Sequence, residues 1–207
     1  MTKRRRPLTA EQLLTDLHQN PTWQREQERR DGQLIARQVE SVAEQKDLLK
    51  DLASVGCRVD TVWDLVNSTG SYAAAIPVLL AHAVRPYSTG VREGIIRALT
   101  TDSAAGTVSC EILINEYKKL NDSSPNSLKW VLGNAISIVA VRECATEIVK
   151  LIRDKANGRA RDMMTLRLTR ICPRNLARQI LKELLDDPEI GTFADRALAT
   201  VERGVPR

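Results

Sequence analysis

The residue types best suited to general-base, nucleophilic or metal chemistry are few in this 207-residue chain: two histidines and four cysteines. Neither His18 nor His82 has a metal-ligand partner one helical turn further on. Cys57, Cys110, Cys144 and Cys172 lie far apart along the chain, with no CxxC pair and no neighbouring histidine cluster. The spacing of a metal site is therefore missing, and the cysteines read as small apolar side chains in a reducing cytosol. No GxSxG, P-loop or GxGxxG motif occurs. A serine or cysteine nucleophile would have to draw its base from His18 or His82. His82, within "LLAHAV", is expected on the edge of a helix. The pattern points to a non-catalytic protein, with no cofactor and no metal implied.

Charge is the more informative feature. Residues 142–182 hold eleven Arg or Lys against four Asp or Glu, a net of +7 where the whole chain carries +5. Arg174, Arg178 and Lys182 recur every fourth residue and form one stripe of a helix, and Lys150 and Arg153 lie two helical segments before it. Such a face suits phosphate backbones or an acidic protein. The plainer alternative is a solvated face whose long side chains cover apolar surface. Trp130 stands in a helical position otherwise occupied by Glu93, Asp162 and Thr192, which makes it a candidate partner anchor or a residue buried between neighbouring elements. Aromatics are only 3% of the chain, too few for a series of base-stacking platforms.

The elements that position these residues are helices. Hydrophobic residues make up 43% and charged residues 28%, and β-branched alternation is rare. Residues 1–7, with Lys3, Arg4, Arg5 and Arg6, read as a solvated disordered tail. No apolar run follows that tail and no stretch approaches the roughly 20 residues of a membrane span, so a cytoplasmic protein is expected. Residues 8–56 read as an N-terminal helical hairpin. A first helix runs from about Leu8 to Gln19, with Thr9 and Gln12 as a capping box, and Pro21 ends it. A long helical stretch runs from about Thr22 to Val55 and is stopped by Gly56. Its second half carries an apolar seam at Ile35, Val39, Val42, Leu49 and Ala53, expected to pack on the rest of the protein.

From residue 57 to 207, short helices follow one another. Asp60 is expected to cap the first, Ser124 a later one with Pro125 at its first position, and Asp187 the last, which Gly204 closes. Alternate segments superimpose: "VREGIIRAL" from Val91, "LKWVLGNAI" from Leu128, "ARDMMTLRL" from Ala160 and "IGTFADRAL" from Ile190, at intervals of 37, 32 and 30 residues. The first, fourth, fifth and ninth columns are mainly apolar, one face of a helix. The second column, Arg92, Lys129, Arg161 and Gly191, is mostly basic and expected outward. Two helices per unit at this period are the mark of an α-helical solenoid. "EIVKLIRD" and "QILKELLD" are expected to be the second helices of their units.

"VREGIIRALT" followed by the "CEILINEYKKL" helix resembles HEAT repeats of the armadillo-like class, and "AIPVLLAHAVRPYSTGVREGIIRAL" is similar to small bacterial HEAT-repeat proteins. The resemblance covers about Asp60 to Arg203, on the order of four helix pairs and a closing helix. The third unit departs from the pattern, with Arg167 where the others have Ala98, Ala135 and Ala197, and Leu166 in a polar column. The resemblance implies an all-α superhelix behind the N-terminal hairpin, and a scaffold that binds a protein partner in a concave groove lined by second helices. Arg174, Arg178 and Lys182 would then face that groove. The alternative is a phosphate-backbone binder related in fold to the HEAT-like DNA alkylation-repair glycosylases. A HEAT-like lyase for a bilin or other cofactor is a third reading, for which no acid or nucleophile stands out. The His-Glu pairs of HEAT-type metal hydroxylases do not occur.

Overall fold

Asn20 and Pro21 begin the first described helix. The Asn20 side-chain oxygen accepts from the backbone N–H groups of Thr22 and Trp23 at 2.9 and 3.3 Å, and Pro21 supplies the fixed φ of a first helical position. The computed structural model describes residues 9–10, 20–122, 124 and 126–203. The basic tail, His18, Pro125, Gly204 and the helix expected from Leu8 to Gln19, apart from Thr9 and Ala10, lie outside the described residues. Helix α1 (Pro21–Glu44) belongs to one compact unit and the chain from Gln45 onward to another. Polar on most sides, α1 is tied internally by Glu26 with Arg29 and Arg30. Val39 and Val42 on this helix are 65% and 39% exposed.

The stretch expected as one helix to Val55 is interrupted at Gln45, beyond which lies α2 (Lys46–Ser54). Gln45 is wholly buried, and its side-chain oxygen accepts from the Val62 N–H at 2.9 Å. Gly56 stops α2 as the sequence indicates: at φ +87° it allows Gly56 and Cys57 to donate back to Ala53 and Leu52.

Among the described residues nine further α-helices follow: α3 (Val62–Val66), α4 (Ile76–Ala83), α5 (Thr89–Ala98), α6 (Thr107–Lys118), α7 (Leu128–Val139), α8 (Ala145–Arg153), α9 (Asp162–Ile171), α10 (Arg174–Glu183) and α11 (Gly191–Glu202). No strand occurs among the described residues. Two caps differ from expectation by a few positions. Thr61, not Asp60, caps α3, and Asp64 accepts from the N–H groups of both. Ser127, not Ser124, caps α7 by accepting from Trp130. In each case the residue nearer the helix can reach the second or third free N–H. Asp187 accepts from Glu189 and Ile190 in the turn that leads into α11.

The helices stand in two rows. In one, α3, α5, α7, α9 and α11 each pack on the next. The other holds α2, α4, α6, α8 and α10. Antiparallel pairs form as α4 with α5, α6 with α7, α8 with α9, and α10 with α11. The helices opening near Val91, Leu128, Ala160 and Ile190 are therefore the second members of their pairs. "EIVKLIRD" and "QILKELLD" are first members, the reverse of the sequence expectation. The connection from α8 to α9 wraps around buried Asn157 and Arg161, and sequence period alone cannot set the phase of a repeat.

Ile95, Leu132 and Met164 fill the space between the rows and are inaccessible to solvent. Gly94 sits where the other units carry Val131, Met163 and Phe193, because a β-carbon there would lie 2.5 Å from the Val62 side chain.

Candidate functional site

The column of basic residues expected to point outward points inward instead. Arg92 is partly buried and pairs with Glu116 at 3.1 Å. Lys129 is 6% exposed, lies over the Tyr117 ring at 4.9 Å and is attracted by Asp154. Arg161 is 1% exposed and makes a two-pronged pair with Asp187 at 3.0 and 3.1 Å, with further bonds to the carbonyls of Ile152 and Gly158. Arg92 and Arg161 thus each meet a carboxylate of the following helix pair. Burial would raise the Asp187 carboxyl, but hydrogen bonds from Arg161 and from the backbone of Glu189 and Ile190 outweigh it and hold it below the usual carboxylate range. Trp130 follows the same logic, its indole N–H donating to Asp162 at 3.0 Å between α7 and α9.

His82 is not at a helix edge. It is 1% exposed, with Nδ1 at 2.6 Å from the Tyr87 hydroxyl and Nε2 at 3.0 Å from the Asp51 carboxylate. A nucleophile, a base and an orienting carboxylate in a row are the outline of a catalytic triad. The electrostatics oppose that use: burial raises the Tyr87 hydroxyl instead of activating it. Asp51, held low chiefly by its bond to His82, completes a tie joining α2, α4 and the turn after α4. This tertiary partner, 31 residues away, leaves no mark in the spacing around His82.

Cys110, Cys144 and Cys172 are buried free thiols and Cys57 is partly buried. Cys110 and Cys144, far apart in sequence, are hydrogen-bonded neighbours, and burial pushes the Cys110 thiol far up, away from the reactive thiolate. No group of three His, Cys, Asp or Glu among the described residues is placed to hold a metal ion. None of the described helices is long and apolar enough to cross a membrane.

The residues singled out for binding lie mainly on the other row, and most already have partners within the chain. Lys150 bonds Glu147 at 2.6 Å, and Lys118 reaches the same carboxylate from α6. Those two lysines hold the Glu147 carboxyl at about 2. Arg153 on α8 bonds Glu183 on α10 at 2.7 Å. Arg174 donates to the Val201 carbonyl at 2.7 Å, near the end of α11, and Arg178 approaches Glu202 at 3.4 Å. Arg174, Arg178 and Lys182 share the exposed side of α10, and of the three Lys182 has no hydrogen-bond or ion-pair partner among the described residues.

A different surface feature crosses the row that holds α7, α9 and α11. A shallow groove of about 320 Å³ runs over α7, α9 and α11. Ile138, Met163, Leu166 and Ala197 supply its apolar lining. Ser137, Thr169 and Thr200 add hydroxyls that donate to carbonyls of their own helices. Its charged lining consists of Arg167 and Arg170. Both residues that break the repeat pattern, Leu166 and Arg167, are here. Ala98, Ala135 and Ala197 are buried, but Arg167 in the same column turns to the end of α7 and donates to the Ile138 and Ala140 carbonyls at 3.1 and 2.9 Å. That interrupted column was the signal in the sequence that could have located the groove.

The chain matches no family model, no curated protein sequence and no solved structure.

Proposed function

We propose that residues 57–207 form an α-α solenoid of the HEAT-repeat type that acts as a non-catalytic interaction module, binding a protein partner along the row α5, α7, α9 and α11. One observation carries the reading: a groove with an apolar lining spans three successive helices of that row. Extended surfaces built from successive units are how stacked repeats bind.

Two features support the solenoid. The same column supplies a cross-unit ion pair twice, Arg92 with Glu116 and Arg161 with Asp187, and Lys129 between them is buried over the Tyr117 ring. The two rows are also packed unequally. Neighbours touch closely throughout the α3 to α11 row, whereas contact of α8 with α6 and α10 is slighter. There the long side chains of Lys118 and Arg153 span to Glu147 and Glu183. A stack packed more closely on one row curves toward it, so the concave side follows α5, α7, α9 and α11. The stripe Arg174, Arg178 and Lys182 then falls on the opposite side, where Arg174 and Arg178 hold α10 to α11.

The phosphate-backbone alternative rests on the positive excess of residues 142–182. Pairing of Arg153, Arg161 and Arg178 with Glu183, Asp187 and Glu202, which lie outside that segment, takes up part of the excess.

The test is site-specific photocrosslinking in the native cells, with p-benzoylphenylalanine replacing Met163 in the groove or Gln179 on α10. Light-dependent protein adducts of discrete mass from position 163 and none from 179 are expected. Nuclease-sensitive adducts would move the reading to nucleic acid. No adduct at 163, or the same set from both positions, would overturn it.

A further inference from the structure

We propose that Arg167 and Arg170 form a carboxylate-binding subsite of the groove, which takes an acidic side chain of a partner peptide while the peptide's apolar side chains lie on Ile138, Met163 and Leu166. The inference rests on the interaction-module reading and names the chemistry of the partner.

Arg167 occupies a column that is buried alanine in the other units, so packing does not require an arginine there. Its Nη2 is fixed by two carbonyls at the end of α7, which orients the guanidinium in advance of binding. Its Nε is buried with no hydrogen-bond partner among the described residues. Burial, and then the nearby charge of Arg170, both disfavour the protonated form of Arg167. Two like charges held together in a partly desolvated place are relieved by an anion.

Arg170 is exposed and has no hydrogen-bond or ion-pair partner among the described residues. Asp102 attracts Arg167 through space but does not line the groove, and no carboxylate does. The fixed charge of the groove is therefore uncompensated. A carboxylate can accept from guanidinium in a two-pronged geometry, which a neutral amide cannot match. An acidic peptide fits better than a nucleic acid, because the remainder of the lining is apolar and aliphatic. No aromatic ring lines the groove to stack on a base, and two adjacent cations do not track a phosphate backbone.

The probe is a fluorescein-labelled amphipathic peptide of leucine and glutamate, titrated against the full chain by anisotropy. The same peptide with every Glu replaced by Gln, and a plain duplex oligonucleotide, run beside it. Arg167→Ala restores the alanine of the column, so the variant is expected to fold; a thermal melt checks this. Arg170→Glu changes an exposed residue, and Lys182→Glu is the control on the other row.

Binding of the Glu peptide is expected. The Gln peptide, Arg167→Ala and Arg170→Glu should each weaken it by about tenfold or more, and Lys182→Glu should leave it unchanged. Equal binding of the Glu and Gln peptides overturns the proposal. So does indifference to both arginine changes, or an affinity for the Glu peptide weaker than about 1 mM. Oligonucleotide binding that is lost in Arg170→Glu also overturns it, in favour of phosphate. Crosslinking at Met163 that persists in Arg170→Glu would leave the interaction module standing and remove only this subsite.

Discussion

Buried polar groups in this chain fall into two kinds, and the difference predicts opposite responses to mutation. His82 is satisfied on both ring nitrogens, by Tyr87 and Asp51. The Tyr117 hydroxyl is buried with no hydrogen-bond partner among the described residues, and burial raises its pKa. Removing one member of a satisfied buried set strands the others, whereas removing an unpartnered hydroxyl strands nothing. His82→Leu should therefore destabilise by about 1–3 kcal/mol. Tyr117→Phe should be neutral or stabilise by up to about 1 kcal/mol. Paired urea denaturation curves check both, and a large loss in Tyr117→Phe would show that its hydroxyl has an unseen partner.

The helices are held to one another by a device more specific than apolar packing. Arg161 fastens the start of α9 to the turn before α11 through Asp187, with both side chains almost free of solvent. A pair of this kind stabilises little compared with a well-packed apolar replacement, yet breaking one side leaves an uncompensated buried charge. Arg161→Met should cost roughly 3–5 kcal/mol, and Arg161→Met combined with Asp187→Leu should recover much of that loss. A double-mutant cycle read by chemical denaturation measures the coupling. Additive losses would mean that the two side chains do not act as a unit. The outer row is joined differently, by half-exposed pairs such as Lys118 with Glu147 and Arg153 with Glu183. Pairs of that exposure stabilise weakly and are screened by salt, so they set the spacing of α6, α8 and α10 more than their stability.

Carboxylates held low couple the fold of the whole molecule to pH. Glu147 is lowered from 4.5 to about 2, and Asp51, Glu183 and Asp187 are lowered as well. Each is depressed on folding, so each contributes stability that is fully present above its unfolded value and is lost as pH falls through the folded one. The midpoint of thermal unfolding should stay nearly level down to about pH 5 and then fall steadily toward about pH 2. Differential scanning calorimetry across that range checks the sign. A midpoint that rises on acidification would mean that these carboxylates are not stabilising in the folded chain.

The sequence by itself determined the helical class, the stop at Gly56, the recurrence of apolar columns from Val91 onward and the interrupted column at Arg167. These features are local, since periodicity, glycine geometry and capping chemistry act within a few residues of the chain. Tertiary structure alone decided which row each helix joins. It turned the column of Arg92, Lys129 and Arg161 inward, where Arg92 meets Glu116 and Arg161 meets Asp187, carboxylates that no spacing rule links to them. It also brought Asp51 to His82 and Cys144 to Cys110. In the same way it supplied Glu183 to Arg153 and Glu202 to Arg178 from neighbouring helices. A charge reads as free in sequence until its partner is known, and Glu183 and Glu202 come from other helices.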